Sequence, residues 1–358
     1  MSNVRAAIIG CGGIANGKHM PALKRHGGVD MVAFCDIVVE RAAQAASEYG
    51  VAGATIYNNY QELLEKENVD IVHVCTPNDS HAEISIAAME AGRDVLTEKP
   101  MAKTAANARR MLEVSQKTGR KLSVGYQTRF RSDSQYLKKM VEDGDLGEIY
   151  YAKAHAVRRR AVPTWGVFLD AEKQGGGPLI DIGTHALDLT LWLMDNYEVD
   201  SVMGSVFRKL ADRENAANAW GPWDPKEYTV EDSAFGFIKM KNGATIFLES
   251  SWALNTREPD EAKCTLFGTE AGADMKGGLN VNGEKNGKLY DLKVDLSAGG
   301  VAFYEGKRER PEDLEMKFWI DSVVNDKPLI VKPEQALVVS EVLEAIYKSS
   351  ETGEVIKF

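Results

Sequence analysis

The chain has 358 residues, 44% of them hydrophobic and 27% charged, with a formal net charge of -10. This is the composition of a globular protein in water, at a length beyond what one hydrophobic core usually supports, so two domains are expected. The acidic balance argues against binding a nucleic-acid backbone, which needs a positive footprint, and Arg158-Arg159-Arg160 is too short a run to supply one.

Over the first 125 residues, apolar runs alternate with helical periods. Strands are predicted over residues 4–9, 31–35, 71–75, 94–97 and 122–125, with helices over 13–25, 40–49, 60–66, 81–91 and 105–118. Continuous apolar strands separated by helices imply a parallel sheet covered on both faces. Right-handed crossovers then make it a doubly wound, Rossmann-type sheet. Beyond residue 126 the pattern changes. A helix over 132–143 closes in Gly144 and Gly147, and strands follow over 149–157, 199–209 and 262–268. The clearest pair lies in "AFGFIKMKNGATIFLESSWAL", where Asn242-Gly243 is a strong two-residue hairpin signal. The expected α/β architecture is therefore a domain over 1–125 and an α+β domain over 126–358. The second carries a large, mainly antiparallel sheet, packed on one face by helices such as 179–194 and open on the other. That open face predicts pairing with a second copy. A final helix over 333–349 has apolar residues at packing intervals, a return toward the first domain included.

Cys11, Cys35, Cys75 and Cys264 lie far apart and form no C-x-x-C pair, so neither a disulfide framework nor a metal site is expected. The chain enters its first strand by Val4, and no apolar run approaches membrane-spanning length. A cytoplasmic protein without a membrane partner is the expectation.

Three motifs carry chemistry. In "AAIIGCGGIANGKHMPAL", Gly10, Gly12 and Ala15 form G-x-G-x-x-A between a strand and a helix, with Gly13 and Ile14 in the same turn. Gly10 permits the tight turn, Gly12 lets backbone approach a pyrophosphate, and the helix N-terminus attracts the anion. Asp36 follows 24 residues beyond Gly12, where an acid would bind the adenosine ribose; the other reading is an ordinary turn residue. An acid there repels a 2′-phosphate, and Ile37 supplies no cation, so NAD is expected over NADP. The strand over 71–75 ends in Thr76-Pro77-Asn78, with His81 opening a helix. Asn78 is either a helix-start residue or an amide facing a ligand. The strand over 94–97 ends in Glu98-Lys99-Pro100, on the same sheet rim. Finally, "GGGPLIDIGTHALDLTLWLM" sets Asp181 and His185 four residues apart on one helical face. A carboxylate there can orient an imidazole for general-base work; a helix cap and a buried structural histidine are the alternatives.

These landmarks, G-C-G-G-I-A, T-P-N-x-x-H, E-K-P and D-x-G-x-H, occur in the order found in the glucose–fructose oxidoreductase/inositol dehydrogenase/rhizopine catabolism (Gfo/Idh/MocA) family, which the chain resembles over its whole length. The resemblance implies an NAD-dependent oxidoreductase acting on a sugar, cyclitol or glycoside hydroxyl, assembled as a homodimer through the open sheet or as a larger oligomer. It implies a catalytic role for Lys99, in a cis Lys99-Pro100 bond, and a substrate-binding pair in Asp181 and His185, with His185 the base and Thr184 beside it. Glu98 corresponds to a contact on the nicotinamide-side ribose, and Gln127 to a position beside the nicotinamide ring. The stretch "VRRRAVPTWGVFLDAEKQGGGP" further resembles the branch that includes glycoside 3-dehydrogenases, with Arg158, Arg159 and Trp165 suited to hydroxyl contacts and stacking. Rivals are an inositol or free-sugar dehydrogenase, a redox-neutral enzyme recycling its NAD, and a sensor that binds without turnover.

Overall fold

A computed structural model describes residues 3–296 and 309–358. By internal contacts the chain forms two compact units, Met1–Gln127 with Glu309–Ser340, and Thr128–Arg308 with Glu341–Phe358.

The first unit holds a six-stranded parallel sheet: β1 (Val4–Ile9), β2 (Val29–Cys35), β3 (Thr55–Tyr57), β4 (Ile71–Val74), β5 (Asp94–Thr97) and β6 (Leu122–Val124). Its order is β3-β2-β1-β4-β5-β6, so the direction of winding reverses between β1 and β4. The central strands are buried on both faces, and strands consecutive in sequence are linked through helices. Five strands fall where periodicity places them. The edge strand β3 does not, because three half-buried residues are too few to show a period. The helix Pro311–Asn325, also unforeseen, buries Met316, Trp319 and Ile320 in the same core as Met20, Leu23 and Ile8.

The second unit contains a nine-stranded sheet. Its strands are β7 (Ile149–Val157), β8 (Val199–Phe207), β9 (Ser233–Met240), β10 (Thr245–Ser251), β11 (Asp260–Gly268), β12 (Ala271–Asp274), β13 (Asn280–Lys285), β14 (Lys288–Lys293) and β15 (Ile356–Lys357). The order is β14-β13-β12-β11-β7-β10-β9-β8-β15, antiparallel throughout except for β7 with β10. The Asn242-Gly243 hairpin joins β9 to β10 as expected. Residues on these strands alternate in burial. Ile238, Ile246, Leu248 and Ala154 face inward, toward the layer that holds the helix Thr184–Met194. On the opposite face Met203, Phe237 and Phe247 are exposed, with Phe237, Phe247 and Tyr151 in successive edge-to-face contact. Among the described residues, no helix is long and apolar enough to cross a membrane.

Candidate active site

The carboxyl ends of β1 and β4 meet at the point where the winding reverses, the usual ligand crevice of such sheets. Gly10 ends β1 with φ +88°, and a Cβ there would lie 2.6 Å from the carbonyl oxygen of Cys75 at the end of β4. Only glycine satisfies both conditions. At Gly12 and Gly13 an added Cβ would meet nothing within 4 Å, so the turn is open on its outer side. Ile14 is exposed beside it. Asp36, at the end of β2, is nearly buried. Its carboxylate accepts from the Cys11 amide at 2.8 Å and the Val38 amide at 2.9 Å. The acid is thus tied to the glycine turn itself. A fixed acid beside an open, glycine-lined turn fits a dinucleotide's ribose and pyrophosphate. Burial and then the Asp36 charge push the thiols of Cys11 and Cys35 up to about 12, so they remain protonated at neutral pH.

Thr76, Pro77 and Asn78 follow β4, and Asn78 opens a single 3₁₀ turn, Asn78–Ser80. His81 lies beneath this rim, fully buried, with its ring nitrogens 2.8 Å from the carbonyl oxygens of Thr76 and Pro100. Its side chain braces the two loops.

Glu98 and Lys99 leave β5, and the Lys99-Pro100 peptide is cis. Lys99 is half-buried. Glu98 is only 5% exposed and sits in a closed ionic network. Its Oε1 accepts from Lys18 Nζ and from His19 Nε2, both at 2.8 Å, and its Oε2 accepts from the Lys99 amide at 3.1 Å. Lys18 also pairs with Glu315 at 2.8 Å, so one buried ammonium serves two carboxylates. Lys18 and His19 reach inward from a π-helical turn, Ala15–His19, that precedes the helix Met20–His26. His19 meets the Nδ1 of His73 at 2.9 Å, and burial keeps His73 neutral by pulling its pKa well down. Although burial opposes ionisation, the Lys18 charge and the His19 hydrogen bond hold the Glu98 carboxyl well below the ordinary range. Desolvation, reinforced by the Glu98 charge, raises Glu315 despite the same lysine. Glu98 is therefore the hub of this network. Gln127 is half-buried at the start of a short 3₁₀ helix, Gln127–Phe130.

In the second unit, Asp181 lies in a π-helical turn, Leu179–Gly183, which runs into the helix Thr184–Met194 carrying His185. The start of this segment is held by Glu231, whose carboxylate accepts from the amides of Gly177 (2.8 Å) and Leu179 (3.1 Å) and from Tyr347 Oη at 2.8 Å. A Cβ on Gly177 would strike the Glu231 carbonyl at 2.3 Å. No sequence signal marks Glu231, which lies 50 residues after Asp181. Asp181 is not a helix cap. Its Oδ2 accepts from the indole Nε1 of buried Trp252 at 3.0 Å and lies 3.9 Å from Arg158 Nη1. His185 is half-buried, whereas Thr184 is fully buried.

Arg158, expected to suit hydroxyl contacts, is held by neighbouring groups. It makes a two-pronged pair with Glu261, at 2.5 and 2.6 Å, and donates to the Ala161 carbonyl at 3.2 Å. A bulge in β11 between Glu261 and Lys263 sets this pairing, with Ala262 at φ +53°. Arg159 is exposed and Trp165 is 52% exposed. Among the described residues, no three His, Cys, Asp or Glu side chains are placed to hold a metal ion.

Comparison with known proteins places both units. Residues 4–126 match the model of an oxidoreductase family with an NAD-binding Rossmann fold, and residues 138–358 match that family's C-terminal α/β domain. The chain is 36% identical to a D-glucoside 3-dehydrogenase of Escherichia coli, over 98% of its own length and 97% of the relative's. It is 29% identical to an inositol 2-dehydrogenase of Salmonella typhimurium, over 54% of this chain and 55% of that one. In fold it superimposes on a crystal structure of an aldose–aldose oxidoreductase from Caulobacter crescentus with a TM-score of 0.80, at 23% identity, covering 99% of this chain and 100% of that one.

Proposed function

The chain belongs to the Gfo/Idh/MocA oxidoreductase family, and from that premise we propose that it is an NAD-dependent dehydrogenase of glycosides, converting the C3 hydroxyl of a glucoside to a ketone. One observation carries the reading from family to substrate: the full-length likeness to the D-glucoside 3-dehydrogenase. The geometry of each unit supports it.

In the first unit, Gly10, Gly12, Gly13 and Ile14 would hold the pyrophosphate of NAD, with Asp36 on the adenosine ribose. Thr76, Pro77 and Asn78, braced by His81, would line the path toward the nicotinamide end, with Glu98, Lys99 and Gln127 beyond them. When bound, NAD supplies the acceptor for the hydride leaving the ring carbon. Lys99 hydrogen-bonds the reacting hydroxyl and stabilises negative charge as it develops on that oxygen. In the second unit, His185 takes the hydroxyl proton. Asp181, fixed by Trp252 and shielded by Arg158, binds a substrate hydroxyl and favours the charged imidazole. Thr184, buried at the start of the helix, and the exposed Arg159 and Trp165 complete the proposed substrate-side set.

We also infer that the aromatic face of the second unit's sheet meets a second copy of the chain, since a contiguous exposed apolar patch of this kind is a usual mark of an interface. Sedimentation as a dimer or larger tests that. Four free, buried cysteines suit a reducing compartment such as the cytoplasm.

The deciding experiment incubates the purified protein with NAD and a panel of inositols, free hexoses, and O- and C-glucosides. NADH absorbance and mass spectrometry report turnover and loss of two hydrogens. Glucoside oxidation is the expected result. Turnover of inositol without any glucoside would reject the substrate assignment, and a dehydrogenated glucoside without free NADH would instead favour internal recycling.

A further inference from the structure

The second unit carries two exposed tryptophans that the chemistry above does not need as a pair. Trp165 is 52% exposed and Trp220 is 45% exposed, and their rings meet edge to face with centroids 4.9 Å apart. Indoles are usually more buried than this, and leaving both in water forgoes a large hydrophobic gain. Neither ring is on a loose loop. Asn218 exchanges hydrogen bonds with Val162 in both directions, at 2.8 and 2.9 Å. The Ala219 amide donates to the Arg160 carbonyl at 3.0 Å, and Thr164 Oγ1 donates to the Trp220 carbonyl at 2.8 Å. The loop before β9 is thus stitched to the loop after β7, and the two indoles are presented in a fixed arrangement.

Their position relative to Asp181 gives the arrangement a purpose. The Arg158 guanidinium lies 5.3 Å from the centre of the Trp220 ring, and its Nη1 lies 3.9 Å from Asp181. One guanidinium thus reaches both the carboxylate and the Trp220 ring, and Trp165 adjoins Trp220. Two exposed indoles offer more ring surface than one pyranose covers, so the pair suits a ligand that carries a second ring.

We propose that Trp220 and Trp165 form an aglycone platform, taking a ring-shaped group carried on the anomeric oxygen of the glycoside and selecting for it by stacking. This rests on the assignment of a glycoside as substrate. Arg158, locked by Glu261, lies over the Trp220 ring and helps to fix it. Exposed, rigid aromatic faces suit a flat or ring-shaped hydrophobic partner at low entropic cost.

The test compares phenyl and methyl D-glucosides, in both anomers, which share the reacting ring and differ only in the aglycone. In the unaltered protein the phenyl glucoside has the lower KM. In Trp220→Ala that advantage shrinks by about two- to tenfold, the worth of one stacking contact, through KM and not kcat. Trp220→Phe restores most of it. An equal loss for both glucosides would make Trp220 merely structural and overturn the proposal, as would the absence of any phenyl preference in the unaltered protein. A change in sedimentation of Trp220→Ala would overturn it too, by making the pair a subunit contact. If neither glucoside is oxidised, the substrate assignment fails, and calorimetric binding decides the platform separately. Weaker binding of phenyl glucoside to Trp220→Ala upholds the platform; equal or absent binding refutes it.

Discussion

Glu98 in the first unit and Asp181 in the second are both carboxylates held by other side chains, but by different physics. Glu98 is enclosed with two basic partners and a second acid, in a network whose members come from the ends of the fold: Lys18, His19, Glu98 and Glu315. Asp181 accepts from a neutral indole donor, and the Arg158 guanidinium 3.9 Å away is itself paired with Glu261. The first arrangement is rigid and intolerant, because a buried charge without its partner costs far more than the pair gains. The second leaves the carboxylate partly exposed, beside aromatic surface. The first carboxylate sits in a closed ionic core, and the second at a polar edge flanked by aromatic surface. Under the proposed function, that edge is the place where specificity can change without loss of the fold.

Breaking the closed side should have the largest effect. Lys18→Met strands two buried carboxylates, and a loss of about 3–5 kcal/mol in unfolding free energy is expected from urea titration. A loss below about 1 kcal/mol would show that the network relaxes and is not rigid. Lys99→Ala should follow. It is expected to lower kcat by about a hundred- to a thousandfold while NAD affinity, measured by calorimetry, stays within about twofold. Retained turnover would remove Lys99 from the chemistry. On the open side, Trp252→Phe deletes one neutral hydrogen bond to Asp181 and keeps most of the ring. The expected cost is about 1 kcal/mol in stability, with a shift of the kcat–pH profile that a packing defect alone would not produce. The smallest effect concerns acid. The Glu98 carboxyl is held below its ordinary value, so its stabilisation is present above about pH 4.3 and is lost as pH falls through the depressed value. Glu315 runs the other way, its raised value favouring the fold as pH falls. Glu98→Gln should therefore flatten the acid limb of stability by up to about one proton's worth of slope. An unchanged limb would place the acid sensitivity elsewhere.

Much of this was legible in the sequence where chemistry is local. The glycine turn, Asp36, the Glu98-Lys99-Pro100 rim and the Asp181/His185 spacing all lie within short motifs whose residue types have few other uses. What escaped is what the fold brings together from afar. Lys18 reads as a surface lysine until Glu98 and Glu315, 80 and 297 residues away, close around it. Trp165, Trp220 and Trp252 share no spacing, yet a chain of ring and hydrogen-bond contacts through Arg158 and Phe168 links them to Asp181. The strand β14 is exposed along its whole length, so it has no alternation to detect. The helix Pro311–Asn325 has apolar residues on more than one side, with Phe318 and Val324 exposed while Met316 and Trp319 are buried, which blurs its period.

The most direct test of the central claim uses a methyl glucoside carrying deuterium at C3, turned over with NAD by the unaltered protein. The account requires that the deuterium appear in the reduced cofactor and that the product be the 3-ketone, two hydrogens lighter in total. Reduced cofactor free of deuterium, with the label still on the sugar, would contradict oxidation at C3.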